Sequence, residues 1–182
     1  MSIGDRNKKL SQVFHFTSAD LNLNKQGKIA ESQKANVDKY RKGRVISLVA
    51  FGVMGGLFLL GLLAVGISTL FNPGDNTIRY AIMGALAVAL LAMGGGAANF
   101  YIRSRDLISG SISQAKGTAK RTSREARDED GSYGIVYFVK LGSKQFRLIS
   151  EEQHNAFEES ENYRLYYVKA YPFDVILAIE AF

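Results

Sequence analysis

Two long uncharged stretches dominate the pattern of apolar and polar positions along this chain. VISLVAFGVMGGLFLLGLLAVGISTLF runs from Val45 to Phe71, and YAIMGALAVALLAMGGGAANFYI runs from Tyr80 to Ile102. A helix rises about 1.5 Å per residue and a bilayer's hydrocarbon core is about 30 Å thick, so about 20 residues suffice to cross it. Both stretches meet that length. Asn72-Pro73-Gly74-Asp75-Asn76 between them is a turn signal, and so short a link joins two helices only as an antiparallel hairpin. The pattern therefore predicts three parts: a polar arm (1–44), a two-helix transmembrane hairpin (45–102) and a polar tail (103–182).

In the tail the apolar period changes to that of strands. Gly134–Leu141 is rich in β-branched and aromatic residues, Gly142-Ser143 suits a two-residue type II′ turn, and Lys144–Ile149 reads as the returning strand. Ser150 and Gln153 fit a capping box, which predicts a short helix over 151–159. Tyr163–Val168 and Val175–Ile179 are two further strands, with Pro172 in the bend between them. Leu107-Ile108 and Ser111-Ile112 suggest one or two more. Strand edges need closure or cover, so the expected fold is α+β: a transmembrane helical hairpin followed by a small cytosolic β-barrel or strongly curled sheet. Alternation along Tyr163–Val168 places Tyr163, Leu165 and Tyr167 inside, and Arg164, Tyr166 and Val168 outside. Arg164 is then expected near the acids of 151–161.

The arm predicts a helix–turn–helix. Thr17 or Ser18 can cap a helix carrying Leu21 on its buried side, Gly27 can end it in a left-handed conformation, and a second helix starts near Ala30. Asn22-x-Asn24-x-Gln26-Gly27-Lys28-Ile29 with Gln33 follows the backbone logic of a calcium loop. Amides replace every carboxylate, and Lys25 and Lys28 add repulsion, so a metal-free turn is favoured.

Charge refines the picture. The chain has 182 residues, a formal net charge of +6 and no cysteine, which excludes disulfide staples, thiolate metal sites and lipidation through cysteine. Such long apolar spans exclude an ordinary soluble enzyme. The arm holds ten bases and four acids, so it carries the whole excess; the tail is neutral, basic over 103–127 and acidic beyond. Lys39, Arg41, Lys42, Arg44, Arg103 and Arg105 flank the spans on one side, whereas the loop offers only Asp75 and Arg79. The positive-inside rule then puts both termini in the cytoplasm, with the bacterial inner or plasma membrane as the expected location. The first span reads as an uncleaved anchor. Its basic flank attracts anionic lipid. Nucleic-acid binding is the less favoured reading, both for the arm and for a platform made of Tyr137, Phe138, Phe146, Tyr163, Tyr166 and Tyr167 with Lys140, Lys144 and Arg147.

The spans contain no ionisable residue, which argues against ion-coupled transport by this chain alone. They do contain small residues at helical spacing: Gly52 and Gly56 on the first, and Ala81, Ala85, Ala89, Ala92 and Gly96 on the second. These let helix backbones approach closely, either within the hairpin or against another subunit. No cofactor, metal site or catalytic group is assigned. His154, near Glu151 and Glu158, reads as part of a solvated helix face; His15 reads as a polar spacer, and Ser113-x-x-Lys116 lacks the companion motifs of acyl-transferring enzymes.

Asp20, Leu21, Asn24, Gly27, Ile29 and Gln33, followed by two spans, by Tyr163-Arg164-Leu165-Tyr166-Tyr167 and by Glu180, together resemble a group of uncharacterised bacterial two-span membrane proteins. The resemblance covers nearly the whole chain and implies that arm, hairpin and β domain act as one unit; it implies no activity. The function expected is that of a non-enzymatic accessory or scaffold subunit of a larger membrane assembly, with other membrane subunits or self-association as partners. The alternatives are a homo-oligomeric pore or a membrane-surface module binding nucleic acid or a ligand.

Overall fold

A computed structural model describes residues 1–71, 77–127, 133–170 and 172–182. The expected turn at 72–76 and the acids Asp128, Glu129 and Asp130 lie outside the described residues. The chain divides into two units: residues 1–40 with 106–182, and residues 41–105. The boundaries fall within two long helices, α3 (Glu31–Phe71) and α4 (Thr77–Ser109), which follow α1 (Ile3–Val13) and α2 (Ser18–Lys25). The other elements are β1 (Ile112–Arg127), β2 (Tyr133–Leu141), β3 (Lys144–Leu148), α5 (Glu151–Asn155), β4 (Asn162–Val168) and β5 (Val175–Ala181).

The strands form one antiparallel sheet in the order β3-β2-β1-β4-β5. The sheet is open, which corrects the expected barrel, and its curl explains how it manages without closure. β1 changes partner along its length: Ile112–Thr118 pairs with β4, and Ala119–Arg127 pairs with β2. At the change Gly117 crosses the β2–β3 turn so closely that a Cβ there would lie 2.6 Å from the backbone nitrogen of Gly142. The sheet thus folds over itself, and Phe146 of β3 meets Tyr167 of β4 edge-to-face, with ring centroids 5.0 Å apart. The inner surface carries Val139, Leu141, Phe146, Tyr163, Leu165, Tyr167 and Ile179, all buried. Phe157 closes this core against Tyr163 and against Phe14 of the arm. Inward Tyr163, Leu165 and Tyr167 match the alternation read from the sequence.

The outer face of β4–β5 departs from that reading. Tyr166 and Val168 are buried as well, because the arm and the soluble end of α4 cover them. Val168, Val175 and Leu177 pack with Val37 of α3 and Leu107 of α4. Leu107-Ile108, considered for a strand, therefore lies in helix, and the added strand is β1. Burial on both faces is why β4 and β5 read as nearly continuous apolar runs. The free edge of β5 is occupied by α1: the Asn7 side chain accepts from the Ala181 N–H at 2.6 Å and donates to its carbonyl at 3.3 Å. One amide thus substitutes for a neighbouring strand.

The second unit contains both long apolar stretches, in two helices long and apolar enough to cross a membrane. Their seam is built by Phe51 against Phe100 (5.9 Å between centroids), by Gly61 against Leu86 and by Gly66 against Met83.

Two glycines of the first unit, Gly27 and Gly117, separate two kinds of constraint. Gly27 (φ +75°) has open space where a Cβ would go, so Gly27→Ala should cost only the left-handed strain, about 1–2 kcal/mol. At Gly117 a methyl group meets backbone that cannot yield, so Gly117→Ala should cost about 3 kcal/mol or more. Denaturant unfolding of the full chain in detergent, followed by tyrosine circular dichroism, checks the order; a reversed order would contradict the close crossing.

Candidate functional site

Polar residues of the arm and of the last two strands lie far apart in sequence, yet they meet in one place. Thr17 caps α2 through a reciprocal box: its hydroxyl accepts from Asp20 N–H at 3.1 Å, and the Asp20 carboxylate accepts from Thr17 N–H at 2.8 Å. Ser32 donates to the other Asp20 oxygen at 2.7 Å and ties the start of α3 to α2. Gly27 turns the chain in the left-handed conformation that the sequence requires. Inside this turn the Asn24 and Gln33 amides face each other. Asn24 Nδ2 donates to Gln33 Oε1 at 2.9 Å, and Gln33 Nε2 donates back to Asn24 Oδ1 at 3.2 Å. The two side chains that stood where a calcium loop has its ligands thus satisfy one another.

Gln33 also reaches the sheet. Its Nε2 donates at 2.8 Å to the carbonyl of Leu177. Leu177 is the extra residue of a β-bulge: Tyr166 pairs with Ala178 and Tyr167 with Ile176, which leaves Leu177 without a partner on β4. Nearby, Glu180 accepts from Arg164 at 3.0 Å and from the Tyr166 hydroxyl at 3.1 Å, and it pairs with Lys25 of α2. Arg164 therefore pairs across to β5 and not with the acids of 151–161, which corrects the expected partner. The reason is register, since Arg164 and Glu180 are directly opposite. Arg6 of α1 takes two of those acids, Glu158 and Glu161.

Elsewhere the soluble unit presents one face of a single electrical sign. Lys116, Lys120 and Arg124 of β1, Lys140 of β2 and Arg147 of β3 project to the outer side of the sheet, and all are exposed. Gln114, Thr118, Thr122 and Gln145 fill the positions between them. Among the described residues this face of the three strands has no acid, and none of the five cations has an ion-pair partner. The aromatic platform considered above is not available to a ligand: Phe138, Phe146, Tyr163, Tyr166 and Tyr167 are buried and Tyr137 half-buried. Phe138 lies beneath the Arg124 guanidinium, 4.7 Å from its centroid. Ser113 and Lys116, three apart on a strand, point to opposite faces and cannot act together. His154 sits against Tyr137 at 5.1 Å, at the end of a helix shorter than expected. Among the described residues no group of three His, Asp or Glu is placed to hold a metal ion.

Of the seven small residues singled out by their helical spacing, Gly52, Gly56, Ala81, Ala85, Ala92 and Gly96 lie on exposed surfaces and Ala89 is half-buried. A Cβ built at Gly52, Gly56 or Gly96 would meet nothing within 4 Å. Among the basic flanking residues, Lys39, Arg41, Lys42, Arg103 and Arg105 are exposed, and Arg44 lies over Phe100 at 4.8 Å. No family model, curated protein or solved structure matches the chain.

Burial works to raise the pKa of Asp20, but hydrogen bonds from the Thr17 N–H, the Ser32 hydroxyl and the Thr17 hydroxyl outweigh it and hold the carboxyl below its ordinary value of 3.8. A carboxyl depressed in the folded state adds stability above its unfolded pKa and loses it as pH falls through the folded one. Wild type should therefore exceed Asp20→Asn in stability near about pH 7, and the difference should shrink as pH falls below the ordinary carboxyl value of 3.8. Paired denaturant titrations above and below that value check this; a constant difference would contradict it.

Proposed function

We propose that the protein is a non-enzymatic accessory or scaffold subunit of a larger membrane assembly. In this reading α3 and α4 cross the bacterial inner membrane as a hairpin, and both termini are cytoplasmic. The observation that carries the reading is the position of the glycines in the two apolar helices. Gly52, Gly55, Gly56, Gly84, Gly94, Gly95 and Gly96 all have open space where a side chain would be. The hairpin's own seam uses other residues, so these positions remain for a helix of another subunit, which they would admit to close backbone contact. A shallow apolar groove of about 400 Å³, lined by Ser47, Ala50, Phe51 and Met54 of α3 and Met93 of α4, runs beside the hairpin's seam and offers shape for such a neighbour.

The soluble unit suits the same role. Its inner core is filled by side chains, and its polar network joins the arm to the sheet, leaving the outer surface for interaction.

Crosslinking in native membranes tests the proposal. Wild-type protein should give adducts with a defined partner or with itself, and Gly52→Leu with Gly56→Leu should reduce them about tenfold, an effect of about 1.4 kcal/mol. Hydrogen exchange of the soluble unit should stay unchanged in the variant. Adducts that persist undiminished, or a wild-type protein that forms none, would contradict it.

A further inference from the structure

We infer that the outer face of β1, β2 and β3 is a docking surface for anionic phospholipid headgroups. The inference rests on the reading of α3 and α4 as bilayer spans and adds a second, peripheral attachment to it. Lys120 and Lys140 are direct cross-strand partners. Like charges in that position repel, and among the described residues no acid on the face relieves them. Thr122 stands opposite Phe138, which stands opposite Arg147, so cations surround a row of hydroxyl and buried apolar groups. Along β1, Lys116, Lys120 and Arg124 recur every four residues on one side, a stripe in which Lys120 and Arg124 lie about 13 Å apart at about 3.3 Å per residue and Lys116 lies beyond the bend at Gly117. Such a stripe matches an extended surface of phosphates better than one small anion.

The choice between lipid and nucleic acid follows from what the face lacks. Single-stranded nucleic acid is held by bases stacked on exposed aromatic rings. Here Phe138 is 7% exposed and covered by Arg124, and the Phe173 ring that borders this surface is occupied by the Arg147 guanidinium, 4.4 Å from its centroid. Lysine, threonine and arginine, with guanidinium groups lying over Phe138 and Phe173, suit headgroups, which offer phosphate but no bases to stack. The source of phosphate is also tethered. The chain leaves the soluble unit at Tyr40 and returns at Asp106, so a hairpin in a bilayer holds this unit at high local lipid concentration. Each exposed Lys or Arg then adds to attraction for an anionic leaflet.

The absence of cysteine gives a direct test. Thr122→Cys places one thiol in the centre of the face, and Glu152→Cys places one on exposed α5 as a control. The full chain is reconstituted in nanodiscs of zwitterionic lipid, or with about one-third phosphatidylglycerol, and the rate of modification by a neutral water-soluble maleimide is measured. Anionic lipid should slow Thr122→Cys about fivefold or more, about 0.5 M salt should restore the rate, and Glu152→Cys should not respond. Adding Lys120→Glu and Lys140→Glu should abolish the protection and leave the rate in zwitterionic lipid unchanged. Equal rates in the two lipids would overturn the inference, as would protection that survives the double charge reversal. Protection by a single-stranded oligonucleotide but not by anionic lipid would overturn it in favour of nucleic acid. Incorporation is read separately, by size and by resistance to alkaline extraction, so failure of the hairpin reading is distinguished from failure of this one.

Discussion

A carbonyl group that a β-bulge leaves over must find a donor once it is buried, and in this protein that carbonyl belongs to Leu177. An unsatisfied group of this kind costs about 1–3 kcal/mol. The donor comes from the arm, 144 residues earlier in the chain, through Gln33. Gln33 can serve only if its own amide is held in place, and Asn24 holds it through two reciprocal bonds. Asn24 is in turn positioned by α2, whose start is fixed by Thr17 and Asp20 and whose end is fixed by Gly27. Each polar residue of the arm therefore has a task set by the sheet, and the arm is a structural part of the soluble unit.

That dependence also explains the form of the sheet. Five strands with two exposed edges could close into a barrel, but here the arm supplies cover. Asn7 occupies the edge of β5, and α2 with the ends of α3 and α4 covers the outer face of β4–β5. Cover of this kind is asymmetric. β4 and β5 are largely buried on both sides; β1, β2 and β3 keep their outer face in solvent. The basic residues are concentrated on those uncovered strands, whereas Glu180 lies on the covered ones, neutralised by Arg164 and Lys25.

Legibility in the sequence followed the strength of the local pattern. β2, β3, β4 and β5 were readable because β-branched and aromatic residues fill them and Gly142-Ser143 marks the hairpin. The turn of the arm was readable because only a residue such as Gly27 accepts its conformation. β1 escaped, although it is the longest strand and the centre of the sheet. Its inward positions are Ser113, Ala115, Gly117 and Ala119, small because the sheet folds over itself there, and small residues give no apolar alternation. α1 escaped because Leu10 is its one buried apolar side chain, while its other buried residue, Arg6, looks like a surface residue in the sequence. The lock was half legible: spacing picked out Asn24, Gly27 and Gln33, but no local rule connects Gln33 with a bulge in β5. The same limit applied to Arg164, whose partner depended on a strand register. In the apolar helices length and composition were plain, but which small residues form the seam depends on helix rotation, which composition does not encode.

The account stands or falls on the coupling between Asn24 and Gln33, which a double-mutant cycle measures in the full chain by denaturant unfolding of the soluble unit. Asn24→Ala and Gln33→Ala should each cost about 1–3 kcal/mol, because each removes both bonds of the amide pair, and Asn24→Ala also strands the Lys28 carbonyl and Gln33→Ala the Leu177 carbonyl. The double variant should cost less than the two together by about 1 kcal/mol or more, since the second change removes a group already left without its partner. Losses that add to within about 0.3 kcal/mol, or a Gln33→Ala variant as stable as wild type, would contradict the claim that this amide pair fastens the arm to the sheet.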